Sequence, residues 1–379
     1  MSGGLVQLVA LGAQDAYLTG DPKVSFFRSN YQRHTHFSGV TDRQLIQGVP
    51  TAGGISTLRF ERKGDLLSYV YLNALGSNGA IQKISWKTII DKVELLIGGQ
   101  VVDTQDFAFM DKIDPVLLSS SWSKRYNGDN LQTYFFPLKF FFCKDWQTAL
   151  PLVALQYHDV EIRITWSNRL GLDDALGSVP LVKGSALQYQ AYARYIFLDK
   201  AEREYFAKSN MDIIIEQVQR VLLPPAGQDK AELVLSHPVK FITASNLIQT
   251  NFANVVVKQQ INGVDVADFR PLPLYVDPAQ YYHTSYGYIS AGSLGGFDTA
   301  QSNVMIVPFC LDTCKLQPTG TMNFSRIDSY RLIVSGLLDT GVSATWDKVI
   351  DSGFSNYFYA VNYNILRIQN GMGALLYAN

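Results

Sequence analysis

Five histidines and three cysteines are the side chains of this 379-residue chain best suited to metal binding or nucleophilic chemistry. A structural zinc site takes four ligands and a catalytic one takes three, and no grouping here reaches either number. His34 and His36 alternate, which on an extended strand points both to one face, but no third ligand stands nearby. Cys310 and Cys314 have a C-x3-C spacing with no second pair to complete a tetrahedron, so they read as buried or edge thiols. His158 beside Asp159 has the order of a base and its orienting carboxylate, yet it sits at the mouth of a regular strand, where a hydrogen-bonded structural histidine is the plainer reading. The chain has no G-x-S-x-G elbow, no Walker lysine after a Gly-rich loop, no H-E-x-x-H and no G-x-G-x-x-G opening a helix. Asn323-Phe324-Ser325 is the only glycosylation sequon, and it falls in a run of strand character that favours a structural role. The expectation is a protein that is not an enzyme and that uses no cofactor and no metal.

Composition points toward a chain that buries much of its surface against partners. Charged residues make up 17% of the chain, against roughly 25% in an average soluble protein. Tyr and Phe contribute 21 each. A surface so poor in charge is suited to burial against partners. The 32 basic and 33 acidic residues nearly cancel, leaving a formal charge of -1, so direct nucleic-acid binding is not expected. Lys23, Arg28, Arg33, His34 and His36 cluster locally and read as a solvated or inter-subunit face. Three cysteines are too few to staple a chain of this length, which suits assembly in a reducing compartment. The apolar stretch Leu5 to Leu11 lacks the basic leader and cleavage site of a signal peptide. No window approaches the ~20 apolar residues of a membrane span.

The elements that must carry any function are β-strands rich in Val, Ile, Tyr and Phe, punctuated by Gly, Asn, Asp and Pro. Alternation is clear in Asp159–Trp166, where Val160, Ile162 and Ile164 face one way, and less clean in Ser329–Val334. Such strands suit two sheets packed face to face. Gly98-Gly99 and Asn262-Gly263 each sit between two apolar runs and predict tight hairpins. Each hairpin leads to an Asp-Phe pair (Asp106-Phe107, Asp268-Phe269), a loop or helix, and an apolar strand with Pro and Cys (136–143, 307–310). Gly99 and Gly263 stand 164 residues apart, close to half the chain, the mark a tandem duplication would leave. The charge-dense, helix-prone stretch Leu198–Lys208 lies between the copies and places the junction near Ser209 to Val218. Irregular segments at Ser119–Gln132, Ser167–Gly184 and Ser285–Asn303 are candidates for an outward rim.

Five stretches carry a resemblance to a known family. They are the opening Gly3–Pro22, then Asp91–Gln100, then Phe142-Cys143 with Ala149–His158, then Asn323–Asp328, and the closing Tyr359–Asn379, with Phe197-Leu198-Asp199 and Ile215-Glu216-Gln217 between them. In this order the chain resembles the major capsid proteins of nucleocytoplasmic large DNA viruses over essentially its whole length. The resemblance implies an all-β fold of two tandem eight-stranded antiparallel jelly rolls, a double jelly roll, with short helices in loops and at the junction. It implies an assembly arm over residues 1–22, a first jelly roll over 23–210 and a second over 211–379. It further implies a homotrimer forming a pseudo-hexagonal capsomer that tiles an icosahedral shell, and a virion location after synthesis and assembly in the host cytoplasm. Neighbouring capsomers and minor capsid proteins beneath the shell would be partners, with an internal membrane below left open.

The apolar and Gly-containing arm has no partner of its own in a jelly roll, so Leu5, Leu8, Gln14, Asp15, Tyr17 and Leu18 are the expected assembly residues. The apolar strand pattern that closes the chain, ending Leu375-Leu376-Tyr377, is expected to be an integral sheet element. Surface loops look short for the family, which keeps a minor capsid paralogue at special shell positions as one alternative. The other is a carbohydrate-binding, lectin-like β-sandwich, in which Tyr281, Tyr282, Tyr286 and Tyr288 would stack on sugars.

Overall fold

The computed structural model describes residues 3–29, 31–86, 89–118, 133–170, 187–244, 247, 254–284, 304–338, 341–350 and 355–377. Two compact units are present, Met1–His36 and Phe37–Asn379. The first contains two short helices, α1 (Gly3–Val9) and α2 (Ala16–Thr19).

In the second unit the leading strands are β1 (Phe37–Gln44), β2 (Ile46–Gln47), β3 (Ile55–Arg59), β4 (Leu66–Leu75), β5 (Ile90–Ile97), β6 (Gln100–Asp106), β7 (Phe135–Pro137), β8 (Leu150–Pro151), β9 (Val160–Trp166) and β10 (Gln188–Leu198). Helix α3 (Asp114–Leu117) lies between β6 and β7, and α4 (Lys200–Lys208) follows β10. The later strands are β11 (Met211–Leu222), β12 (Lys230–Glu232), β13 (Pro238–Ala244), β14 (Val255–Ile261), β15 (Val264–Asp265), β16 (Arg270–Pro271), β17 (Met305–Pro308), β18 (Met322–Asn323), β19 (Tyr330–Gly336), β20 (Tyr357–Gln369) and β21 (Met372–Leu375), with α5 (Asp277–His283) between β16 and β17 and α6 (Trp346–Val349) before β20.

These strands form four antiparallel sheets, ordered β1-β10-β4-β7, β2-β3-β9-β5-β6, β11-β20-β13-β17 and β12-β19-β14-β15. Setting aside the short strands β2, β8, β16 and β18 and the closing β21, but keeping the two-residue hairpin strand β15, each half contributes eight of the described strands. Numbered within its half, each half has one sheet in the order 1-8-3-6 and one in the order 2-7-4-5. This is the jelly roll arrangement, met twice in one chain, so the fold is an all-β double jelly roll. The repeat that the 164-residue spacing of the two Gly turns suggested is present in the strand order.

Local chemistry explains the elements. β9 alternates as expected, with Val160, Ile162, Ile164 and Trp166 buried and the residues between them half-buried. β5 and β6 close with Ile97 opposite Gln100, and the intervening Gly98 and Gly99 both have positive φ, 59° and 83°. A side chain at both positions would be strained there. Asn262-Gly263 does the same between β14 and β15. Asp199 caps α4 by accepting the Lys200 N–H at 2.7 Å. The core of the first roll is built on Leu67, Val70, Leu72, Ile162, Ile164 and Trp166, and that of the second on Val239, Ile242, Val257, Leu332, Trp346 and Phe358.

Candidate functional site

The two rolls are joined by an interface that is apolar in one part and ionic in the other. The segment after β6 runs through a π-turn at Phe109–Ile113 into α3. Phe107 and Met110 belong to the core of their own roll. Phe109, Ile113, Val116 and Leu117 instead pack on Phe241, Ile306, Tyr359 and Val361 of the second roll, with the Phe109 and Tyr359 rings 5.8 Å apart. β13 and β20 are therefore buried on both faces, one by their own core and one by the neighbouring roll. That is why Pro238–Ala244 lacks alternation: six of its seven residues are buried.

Beside this contact lies a cluster of charges. Lys240, on β13, has a side chain with 0% exposure, ion-pairs with Glu216 and donates to the Thr313 carbonyl at 3.0 Å. Glu216, on β11, also takes Lys144 of the first roll at 2.8 Å. Asp114 holds Lys139 at 3.1 Å and lies 3.5 Å from Lys144. Burial alone would raise the Glu216 carboxyl, but the Lys144 and Lys240 ammoniums outweigh it and hold it at about 2. Lys144 is disfavoured by burial and held protonated by Glu216 and Asp114, which raise it above its ordinary value. Asp103 is different: burial pushes it up to about 6, although the Val218 N–H and Gln105 side chain donate to it. Asp106 accepts from the Tyr359 hydroxyl at 2.7 Å, which adds a further bond across the junction. Asp114, Lys139, Lys144 and Glu216 of the cluster line a pocket of about 160 Å³ with Cys143, Thr313, Cys314 and Lys315. Its lysines and carboxylates are matched to one another, which makes it a structural clamp.

The C-terminal segment also crosses between rolls. β21 pairs with β20, and Leu366 and Ile368 enter the core of the first roll. Gly373 sits so close to that roll that a Cβ there would come within 2.7 Å of Leu155 and 3.2 Å of Ile97. The Gly371 carbonyl accepts the Tyr157 N–H at 2.9 Å.

The residues singled out for chemistry are dispersed. His158 hydrogen-bonds the Gly373 carbonyl at 2.8 Å through Nδ1, while Asp159 ion-pairs with Arg59, so the two do not form a dyad. His283 contacts the Cys310 carbonyl at 2.9 Å. None of Cys143, Cys310 and Cys314 is disulfide-bonded, and burial raises Cys143 to about 12 and Cys310 to about 11. Among the described residues no group of three or more His, Cys, Asp and Glu side chains is placed to hold a metal ion. Asn323 caps a single turn, its Oδ1 accepting the Ser325 N–H at 3.0 Å, and Phe324 is buried. In the N-terminal unit, Leu5, Leu8, Tyr17 and Leu18 are exposed, Leu18 by 85%. Asp15 accepts the Gly12 N–H at 2.7 Å, and Gln14 is exposed. Tyr281 and Tyr282 project from α5 at 61% and 75% exposure; Tyr286 and Tyr288 lie outside the described residues, as do Ser119–Gln132, Ser285–Asn303 and most of Ser167–Gly184.

Two family models match the chain: "Major capsid protein N-terminus" over residues 25–199 and "Large eukaryotic DNA virus major capsid protein" over residues 276–374. The major capsid protein of Pyramimonas orientalis virus is 31% identical over 418 residues, covering 100% of both chains. This chain belongs to the major capsid protein family of large DNA viruses. The major capsid protein of Paramecium bursaria Chlorella virus 1 is 28% identical over 445 residues, again covering all of both chains. Both alignments run longer than 379 residues, so these relatives carry insertions that this capsid protein lacks. The crystal structure of PBCV-1 VP54 superposes with a TM-score of 0.72 at 24% identity, covering 94% of this chain and 100% of that one, and so shares the fold. The relatives are structural shell proteins, and this capsid protein has a structural role in the virion.

The junction cluster escaped the sequence reading. One signal was present: Asp114-Pro115 and Asp277-Pro278 both open the helix between the fifth and sixth strands of their halves. Another was Lys240 standing between Val239 and Phe241 in an apolar run.

Proposed function

We propose that this protein is a shell subunit that trimerises into pseudo-hexagonal capsomers and tiles an icosahedral capsid, with jelly rolls over 23–210 and 211–379 and an assembly arm over 1–22. The observation that carries the reading is the repeated strand order of the two halves, locked together by the Phe109–Tyr359 contact and the Lys144–Glu216–Lys240 clamp. A rigid pair of like domains presents two similar lateral faces, which is what a closed ring of three chains with six rolls requires. The exposed Leu5, Leu8, Tyr17 and Leu18 of the arm support docking beneath the capsomer, on minor capsid proteins or neighbouring subunits. The virion is the expected location, after assembly in the host cytoplasm, and no described helix is long and apolar enough to cross a membrane. Light scattering on the recombinant chain tests the trimer: three times 42.3 kDa is expected, and a strict monomer over a wide concentration range refutes it.

A further inference from the structure

The first roll has an open corner where its two sheets end. β1 is the end strand of one sheet and β2 of the other, and the pairing of Ile46 with Leu58 brings the end of β1 beside the loop from β3 to β4. The corner holds a pocket of about 510 Å³, within the roughly 300–1,000 Å³ of small-molecule sites. Its frame is fixed. Phe60 is buried and donates its N–H to the Val160 carbonyl at 3.0 Å, and buried Gln44 accepts the Tyr195 hydroxyl at 3.0 Å.

Four cations line this pocket, Arg43, Arg59, Arg62 and Lys63, against the carboxylates of Glu61 and Asp159. Arg59 is committed to Asp159. Lys63 is committed to Asp42 at 2.7 Å, with Glu61 3.5 Å away. Arg43 and Arg62 enter no ion pair among the described residues, so two guanidiniums line the pocket uncommitted. A guanidinium presents a planar fork of N–H donors that matches two oxygens of one phosphate.

The fold does not require these charges. In the first roll the loop between the second and third strand positions reads Phe60-Glu61-Arg62-Lys63-Gly64-Asp65. The loop at the same place in the second roll, between β12 and β13, reads Leu233-Val234-Leu235-Ser236-His237, without Lys or Arg. Nor do the cations reflect a general basic bias, because the whole chain has a formal charge of -1. Their concentration in one concave corner fits a small anion that enters the pocket.

We propose that this corner seats a small phosphate-bearing anion with two or more negative charges, held by Arg43 and Arg62, with Arg59 and Lys63 adding positive potential beside their carboxylates. A soluble polyphosphate or phosphate ester and the phosphorylated headgroup of a lipid share this chemistry. Bound there, the anion links β1 to the loop from β3 to β4 and ties the free edges of the two sheets together. The inference is independent of the trimer.

Isothermal titration calorimetry of the full chain with sodium tripolyphosphate at low ionic strength tests it, with thermal unfolding as a second readout. The variant is Arg43→Ala with Arg62→Ala, both positions being exposed. Lys208→Ala is the control, since Lys208 is an exposed cation on α4, away from the pocket lining. The expected result is saturable binding by the wild type, a rise in Tm as the site fills, binding at least ~tenfold weaker in the double variant, and no change in the control. A wild type without saturable binding, a double variant that binds like the wild type, or a control that weakens as much as the double variant overturns the site. If the alanine variant loses its fold by circular dichroism, Arg43→Gln with Arg62→Gln decides in its place. Phosphatidylcholine vesicles with and without a phosphatidylinositol phosphate then separate the sources. Vesicle binding that tripolyphosphate displaces assigns the site to a lipid headgroup, and tripolyphosphate binding without it assigns the site to a soluble ligand.

Discussion

Replacing Glu216 probes what holds the two rolls together. Among the described residues its carboxylate is the ion-pair partner of Lys240, whose side chain is fully buried, and it also holds Lys144 across the junction. Glu216→Ala strands a buried ammonium with the Thr313 carbonyl as its remaining hydrogen-bond acceptor. Breaking one side of a buried pair costs about 3–5 kcal/mol. With an unfolding entropy of about 2.1 cal/mol/K per residue, that corresponds to a fall in Tm of roughly 4–6 °C for a chain of this size. Glu216→Gln keeps an acceptor and loses the charge, so its cost is smaller; adding Lys240→Met to Glu216→Gln recovers part of the loss. Glu204→Ala is the control, because the Lys208–Glu204 pair is exposed and such pairs are worth about 0–1 kcal/mol. The pH dependence follows with a definite sign. Glu216 has a depressed value, so its contribution is fully present above about 4.5 and is lost as pH falls toward about 2, a loss of roughly 3 kcal/mol at 1.36 kcal/mol per unit. Thermal unfolding by differential scanning fluorimetry at pH 7 and along an acid series measures both. A Glu216→Ala variant melting within ~1 °C of the wild type, or one with an unchanged acid limb, would refute the clamp.

Asp103 acts in the opposite sense: its value is raised to about 6 in the fold, so stability rises as pH falls from about 6 toward 4, and Asp103→Asn flattens that limb of a urea-midpoint profile. Gly373→Val drives a side chain against Leu155 and Ile97; it is expected to cost about 1–3 kcal/mol and to raise hydrogen exchange along β21, and unchanged exchange would contradict the close approach. Removing residues 370–379 deletes β21 and the Gly373 contact with His158, so soluble folded protein should be lost, as read by expression and circular dichroism. Deleting residues 1–22 should leave the trimer mass intact and impair shell formation seen by electron microscopy; loss of the trimer would contradict the arm's separate role.

The sequence by itself determined the local elements and the family. Period-two patterning fixed β9 because one face of that strand is buried and the other half-wet, and Gly98-Gly99 and Asn262-Gly263 fixed two hairpins because their positive φ leaves few other residue choices. The charge-dense α4 stood out because its exposed face needs no partner. Only the tertiary structure showed that Pro238–Ala244 is apolar on both faces because another roll covers it, and that Lys240 is tolerated there because Glu216 reaches it. Nor could spacing reveal that His158 turns to Gly373 while Asp159 turns to Arg59. Hydrophobic period and turn chemistry are properties of neighbouring residues, so they are written in the sequence. Ion pairs, hydrogen bonds and helix-on-sheet packing join residues far apart in the chain, as Tyr359 and Asp106 show at a separation of 253, and exist only once both rolls have formed.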